Sequence, residues 1–170
     1  MTIDIDQARK DITAWAVSFV EQPHPALNGW APCPYARKAR VDGLFDIRAG
    51  SVDPLIDCQH VKMGSFDVIA YIYNPAEIEA ERFEQLVEIL NRTCLKPRGM
   101  FALADHPAAV ETVNGVVMNQ GQWAICFLQN LEKLNSHARM LADRGYYTGW
   151  PEDYLQDLFA GRDDPRTAPK

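Results

Sequence analysis

Hydrophobic residues recur along the chain with two different periods, and these periods predict its helices and strands. Apolar positions return every three or four residues in 5–20, 77–94 and 130–144, which is typical of amphipathic helices. Two apolar runs, 67–73 and 99–104, are too short for helices and predict buried strands. Weaker patterns predict strands at 44–48, 55–62 and 123–129 and a last helix that starts at Pro151. We therefore expect an α/β fold of the α+β kind, in which helices pack a central mixed sheet that includes a βαβ unit.

Length and charge limit the classes of function. At 170 residues the chain is long enough for one domain with a sizeable core, which we place at 1–160, followed by a polar tail at 161–170. The net charge of -6 and the scattered Lys and Arg residues argue against nucleic acid or an anionic membrane as a partner. No apolar run reaches the length of a membrane span and the first twenty residues do not resemble a signal peptide, so we expect a cytoplasmic protein. The expected partner is a small-molecule substrate, and the sequence leaves open whether the chain forms a homodimer.

The four cysteines do not form a metal-binding pattern. Cys33, Cys58, Cys94 and Cys126 are far apart in the chain and lack the short spacing of a zinc site. Cys33 has a distinctive position because Pro34, which follows it, suits the first turn of a short helix. A thiol at a helix N-terminus with basic residues nearby has a lowered pKa and is reactive. The alternative, a neutral cysteine wedged between prolines, remains open.

The strand predicted at 99–104 leads into the strongest candidate for chemistry. It runs without a gap into Asp105, His106 and Pro107. The proline keeps the preceding residue out of the α region, so the imidazole should be held in an extended segment. An Asn-Gly pair at 114–115 predicts a hairpin turn between two Val-rich pieces. A strand that ends in titratable residues can present a catalytic group at a sheet edge, although such a turn is often purely structural.

Several short motifs occur in an order that resembles a known family. The motifs are Cys33-Pro34-Tyr35-Ala36 before Lys38-Ala39, a strand that runs into Asn74-Pro75, a strand that ends in His106-Pro107, a strand at 123–127 and a helix that closes on Gly145-Tyr146. Their order resembles the heme-dependent N-hydroxylase family typified by the guanitoxin-pathway enzyme. The resemblance implies heme b and a biosynthetic monooxygenase that uses O2 or peroxide to oxygenate the nitrogen of a small amine, guanidine or amino acid. The chain departs from the family after the His-Pro pair, where Ala108, Ala109, Val110 and Glu111 stand in place of an arginine-rich segment.

The resemblance also suggests which residues form the site. His106 is the best placed of the four histidines to bind the heme iron, and Cys33 is the rival axial ligand, as a thiolate. We expect Cys33, Tyr35 and His106 to line one cavity. The residues expected to surround the heme are Tyr35, Phe101, Met118 and Trp123, and those expected to orient the substrate or bound oxygen are Asn114 and Asn119. Core packing for the apolar residues and turn formation for the asparagines are the simpler alternatives.

Two other classes of function remain open. Cys33 could act as the nucleophile of a hydrolase or transferase, with His106 as its base. The protein could also bind a small molecule or a partner without catalysis. A heme absorption band would separate the oxygenase from both, and thiol reactivity below neutral pH would favour the nucleophile.

Overall fold

A four-stranded mixed sheet lies at the centre of the protein in the computed structural model, which describes residues 2–119 and 121–167. The strands are β1 (Phe45–Ala49), β2 (Val68–Tyr73), β3 (Met100–Asp105), β4 (Thr112–Val113), β5 (Val116–Val117) and β6 (Ala124–Asn130). The sheet order is β1-β2-β6-β3, while β4 and β5 form a separate hairpin. β1 is parallel to β2, and β6 is antiparallel to both β2 and β3. The predicted mixed sheet that contains 67–73 and 99–104 is therefore confirmed, with β6 inserted between these two strands.

The predicted helices are also present. The described part of the chain contains α1 (Ile5–Trp15), α2 (Ala36–Val41), α3 (Pro54–Cys58), α4 (Ala80–Leu90), α5 (Leu131–Asp143) and α6 (Glu152–Phe159). Short π-helical turns extend α1 through Ala16–Val20 and α4 through Asn91–Leu95. Asp4 caps α1 by accepting hydrogen bonds from the N–H groups of Asp6 and Gln7, both at 3.1 Å. Such a cap satisfies backbone donors that have no partner inside the helix.

Two local predictions are wrong. The segment expected to form a strand at 55–62 begins instead with α3, because Asp53 caps the helix by accepting a hydrogen bond from the N–H of Ile56 at 3.0 Å and a proline occupies its first position. The helix expected to start at Pro34 starts at Ala36. Cys33 therefore lies in a loop before the helix, where its N–H donates to the Val20 carbonyl at 3.1 Å.

The two faces of the sheet pack against different elements, because side chains alternate along each strand. Met100, Ala102 and Ala104 of β3 point towards α3 and α4 and join a core cluster that contains Phe83. On the opposite face, Ile12 of α1 packs against β1, β2 and β6. No β3 residue belongs to the cluster around Ile12, so the half of that face formed by β3 and the adjoining end of β6 is left for other elements to cover.

A second core cluster, rich in aromatic residues, lies across from this uncovered half. It joins α5, α6 and the β4–β5 hairpin to the segment 27–35. The ring centroids of Tyr146 and Trp150 are 4.8 Å apart, and the Tyr146 hydroxyl donates to the Pro32 carbonyl at 2.6 Å. The cluster thereby holds the segment that contains Cys33 opposite the sheet.

Part of the predicted polar tail packs against α6. Arg166 pairs with Glu152 at 2.8 Å, and the Arg162 guanidinium lies 4.8 Å from the centre of the Phe159 ring. Residues 161–167 therefore contact the domain, while 168–170 lie outside the described residues. Within the described chain, no helix is long and apolar enough to cross a membrane.

The Asn91 side chain occupies the outer edge of β3. Its amide nitrogen donates to the Ala102 carbonyl at 2.8 Å, and its amide oxygen accepts from the Ala102 N–H at 2.7 Å. Both partners are buried, with Asn91 only 8% exposed and Ala102 2% exposed. The side chain therefore replaces a neighbouring strand at this position and protects the edge from pairing with another chain.

We expect Asn91→Ala to lower the free energy of unfolding by about 2–4 kcal/mol, because it leaves two buried backbone groups without a partner. Urea denaturation measures the change. The matched control is Arg92→Ala, at an exposed neighbour whose ion pair with Glu88 is 3.9 Å long, and its effect should stay below about 0.5 kcal/mol. Equal stabilities of the two variants would contradict the role given to Asn91.

Candidate functional site

A cleft of about 1240 Å³ separates the uncovered half of the sheet from α5 and α6. Phe101, Leu103 and Phe127 line it from the sheet, and Leu134 and Leu158 line it from the two helices. It continues around the free edge of β3 towards α4. Pockets for a single drug-sized ligand typically have volumes of about 300–1,000 Å³. This cleft is therefore large enough for a sizeable apolar molecule.

Several of the predicted site residues meet on the wall of the cleft. They are Cys33, Tyr35, Phe101, Met118 and Asn119. His106, Asn114 and Trp123 are not among the described residues that line it. The structure thus brings Cys33 and Tyr35 to one cavity, as expected, but does not bring His106 to join them.

His106 packs on the other side of β3. It is 4% exposed, and its ring lies 5.9 Å from the ring of Phe83 on α4. Its Nδ1 accepts a hydrogen bond from the Ala108 N–H at 3.1 Å, so the ring proton is on Nε2, which donates to the Ile78 carbonyl at 2.9 Å. Both ring nitrogens are therefore hydrogen-bonded to the backbone, and the imidazole connects the end of β3 to the segment before α4. This is a structural histidine, without a free lone pair for iron or for a thiol proton.

The predicted asparagines are structural as well. The Asn119 amide accepts from the Glu111 N–H at 2.8 Å and donates to the carbonyls of His106 and Ala109. Asn114 occupies the left-handed region at φ 49° in the β4–β5 turn, which its Asn-Gly sequence predicts. The Asn119 amide is therefore not free to orient a substrate, and Asn114, whose amide donates to the Ala26 carbonyl at 3.2 Å, does not line the cleft.

Trp123 contributes to a different part of the protein. It packs against the core beneath α1 and lines a separate cavity of about 310 Å³ together with Trp15 and Phe19. Trp123 therefore does not contact the large cleft, where it was expected to surround the heme. The indole extends the core of the sheet where β6 begins.

The Cys33 thiol has a raised pKa, opposite to the expectation. The residue is accessible from the cleft, but the protein atoms around its sulfur desolvate the thiolate and raise the pKa, and the charge of Glu21 adds to this effect. The nearby cation is neutralised, because Arg40 makes a two-pronged ion pair with Glu21 at 2.6 and 2.9 Å. Cys33 also precedes α2 by three residues. Hydrogen bonds from the backbone N–H groups of Tyr35 and Ala36 act to lower the pKa, but burial outweighs them, so the thiol is not activated as a nucleophile.

His137 on α5 is the imidazole that faces the cleft. Its ring stacks on Tyr35, with centroids 3.8 Å apart and an interplanar angle of 14°. Neither ring nitrogen forms a hydrogen bond with any described residue. Burial lowers the pKa of His137, partly offset by the charge of Asp67, so the imidazole is neutral at pH 7. A neutral imidazole with free nitrogens can bind a metal or accept a proton.

Two carboxyl groups face the same cleft without a cationic partner. Asp105, at the end of β3, has its pKa raised to about 7 by burial and by the charge of Glu111. Burial also raises the pKa of Glu111, against the effect of a hydrogen bond of 3.4 Å that the Tyr154 hydroxyl donates to it. In the described chain, neither carboxyl pairs with Lys, Arg or His. Acids held so close to an apolar wall favour a positively charged ligand.

The sequence carried a signal for His137 that the choice of His106 as the best placed histidine did not use. His137 follows Leu134 by three residues and precedes Leu141 by four, so it shares their face of the helix. Glu111 and Tyr154 gave no comparable signal. Their meeting depends on how α6 packs against the segment before the β4–β5 hairpin.

We expect Asp105→Asn to stabilise the protein at pH 8 and to leave its stability nearly unchanged at pH 4. Because the pKa of Asp105 is about 7 in the folded protein, above its ordinary value of 3.8, the stability of the wild type falls as pH rises through this window. The gain at pH 8 should be on the order of 2 kcal/mol, after allowance for partial exposure of the carboxyl. Thermal unfolding at both pH values measures it, with the exposed Asp163→Asn as control. An equal shift at pH 4 and pH 8 would contradict the assignment.

Comparison with known proteins gives this chain no relatives from which to take a function. It matches no protein-family model. A search of curated proteins and a search of solved structures likewise give no significant match. The functional interpretation therefore depends on the residues of the cleft and on the motif resemblance described above.

Proposed function

We propose that the protein is a heme-dependent oxygenase that acts on the nitrogen of a small amine or guanidine. The observation that carries the proposal is the cleft itself. It combines apolar and aromatic walls of sufficient volume, an imidazole with free nitrogens, and two carboxyl groups without counterions. The Cys33–Tyr35 motif, on which the family resemblance partly depends, lies on its wall.

The residues of the cleft fit a heme. Phe101, Leu103 and Phe127 form a continuous apolar surface on the sheet, and Met118 and Leu134 face it across the cleft. Such a slot excludes water from a flat apolar ring. When bound, a heme would supply the activation of O2 or peroxide that these side chains cannot perform. The side chains of the site would then bind the nitrogen of the substrate and balance its positive charge.

Asp105 and Glu111 are the groups that would bind this nitrogen. At neutral pH Asp105 carries only about half of a negative charge, because its pKa is about 7. An ammonium or guanidinium group that enters the cleft favours ionisation of both carboxyls and forms charge-assisted hydrogen bonds with them. Tyr154 orients Glu111 through its hydroxyl. Binding of the cation is therefore coupled to release of a proton from the acid pair.

The alternative of a cysteine nucleophile receives no support from the arrangement. The pKa of the Cys33 thiol is raised, and the nitrogens of His106 are bonded to the backbone. A binding protein without catalysis would use the same cleft and the same acid pair. Uptake of heme by the wild-type protein distinguishes that function from the oxygenase.

We expect the purified protein to bind one equivalent of hemin and to develop a Soret band, because the cleft offers an apolar slot beside a free imidazole. Optical titration measures the affinity. Leu103→Glu, which introduces a charge on the apolar wall, should weaken binding by at least about tenfold. Asp163→Asn is the surface control and should bind hemin as the wild type does. A wild-type protein that develops no Soret band would end the oxygenase proposal and leave the binding protein.

We expect the affinity for butylamine to increase about tenfold between pH 6 and pH 8, since the ionised fraction of a carboxyl with a pKa of about 7 rises by that factor. The amine stays protonated throughout this range. Calorimetry on the hemin-loaded protein measures the affinity, with butanol as the uncharged probe of similar size. Asp105→Asn should weaken amine binding and flatten its pH dependence without affecting butanol. An amine affinity that is independent of pH would show that Asp105 does not contact the ligand.

A further inference from the structure

We propose that His137, on α5, is the residue that ligates the heme iron in this cleft. The inference depends on the proposed function for the presence of heme, and it assigns the iron to a different histidine from the one that the His-Pro motif suggests. Two features separate the two histidines: the hydrogen bonds of their ring nitrogens and the side of the sheet that each ring faces.

Access to the cleft separates His137 from His106. His137 lines the cleft, whereas His106 is 4% exposed and packs against Phe83 on the far side of β3. Coordination by His106 would require breaking its hydrogen bonds to Ala108 and Ile78 and reorganising the end of β3. Coordination by His137 breaks no hydrogen bond within the described chain. An iron ligand needs an unshared lone pair, and His137 is the only histidine among the described residues that line the cleft.

Tyr35 fixes the plane of the His137 ring. The two rings stack at 3.8 Å and 14°, and α5 holds the backbone of His137 in a regular helix. Stacking covers a face of the imidazole and leaves its nitrogens, which lie on the ring edge, free to point into the cleft. A ligand whose orientation is set before the metal arrives loses less entropy on binding. Tyr35 is thus a positioning residue for the ligand.

Two charged side chains act on His137 from neighbouring elements. Asp67, before β2, favours a protonated ring, and Lys133, one turn earlier on α5, opposes it. These two groups form an ion pair of 2.7 Å with each other. The carboxylate is therefore already engaged by Lys133, and its effect on the imidazole is reduced. Asp67 also lines the cleft.

The test is an optical titration of the full chain with hemin, carried out for the wild type and for substituted histidines. His137→Gly should lose more than about 100-fold in hemin affinity, beyond what removal of an outer partner of a metal ligand costs. Added imidazole should enter the space left by the ring and restore the ferric spectrum of the wild type. His137→Gln keeps a helix-forming side chain and should also lose affinity, which controls for poor folding of the glycine variant. His60→Ala, at an exposed turn, should bind hemin as the wild type does.

Two further variants separate the competing ligands. Cys33→Ser should leave the Soret maximum unchanged, since the thiol has a raised pKa and is not expected to bind as a thiolate. Tyr35→Phe should preserve the spectrum because it preserves the stack, whereas Tyr35→Ala should broaden the ligand signals in electron paramagnetic resonance. Wild-type affinity and spectrum in folded His137→Gln would overturn the assignment while leaving the proposed function intact. Absence of a Soret band in the wild type would instead overturn the proposed function, and the assignment with it.

Discussion

The antiparallel pairing of β3 with β6 fixes which side chains reach the cleft. In this register Leu103 faces Phe127 and Asp105 faces Ile125, and all four side chains lie on the face opposite α4. A shift by one residue would exchange the two faces, bury Asp105 against α4 and close the apolar wall of the cleft. The chemistry of the cleft therefore depends on the hydrogen bonds of this strand pair, and on the Asn91 side chain that completes the outer edge of β3.

The cleft places two carboxyl groups without cationic partners, Asp105 and Glu111, beside apolar surface, and this arrangement costs folding free energy. Burial and the charge of Glu111 raise the pKa of Asp105. Burial and the charges of Glu84 and Asp157 raise the pKa of Glu111. A core optimised for stability alone would pair them with cations or replace them with apolar residues. Groups whose surroundings oppose their ionisation cluster at functional sites, where a bound ligand can supply the opposite charge. The resulting acid pair is thus more informative about function than the number of acidic residues in the sequence.

Much of the fold could be predicted from the local pattern of apolar residues. The periodicity of 77–94 and 130–144 predicted two long helices, and the apolar run 67–73 predicted a central strand, because burial on one side imposes a repeat on the sequence. The prediction failed at 55–62, where the Asp53-Pro54 start signal of a helix outweighed a strand-like composition. The insertion of β6 between β2 and β3 could not be predicted, because strand order depends on contacts between residues distant in the chain.

The sequence by itself determined that Asp105 and His106 point in opposite directions, since neighbouring residues at the end of a strand do so whatever surrounds them. It also determined that Cys33 and Tyr35 lie together in a stiff segment and that His137 shares the inner face of its helix. Only the tertiary structure decided which direction leads to the cleft. Because α4 packs on one face of the sheet, His106 is buried on that face and Asp105 lies on the other. Packing of the aromatic cluster places His137 and Tyr35 on the opposite wall of the cleft. The reason is physical: local periodicity fixes relative orientation, but burial of one face or the other depends on the free energy of packing the whole core.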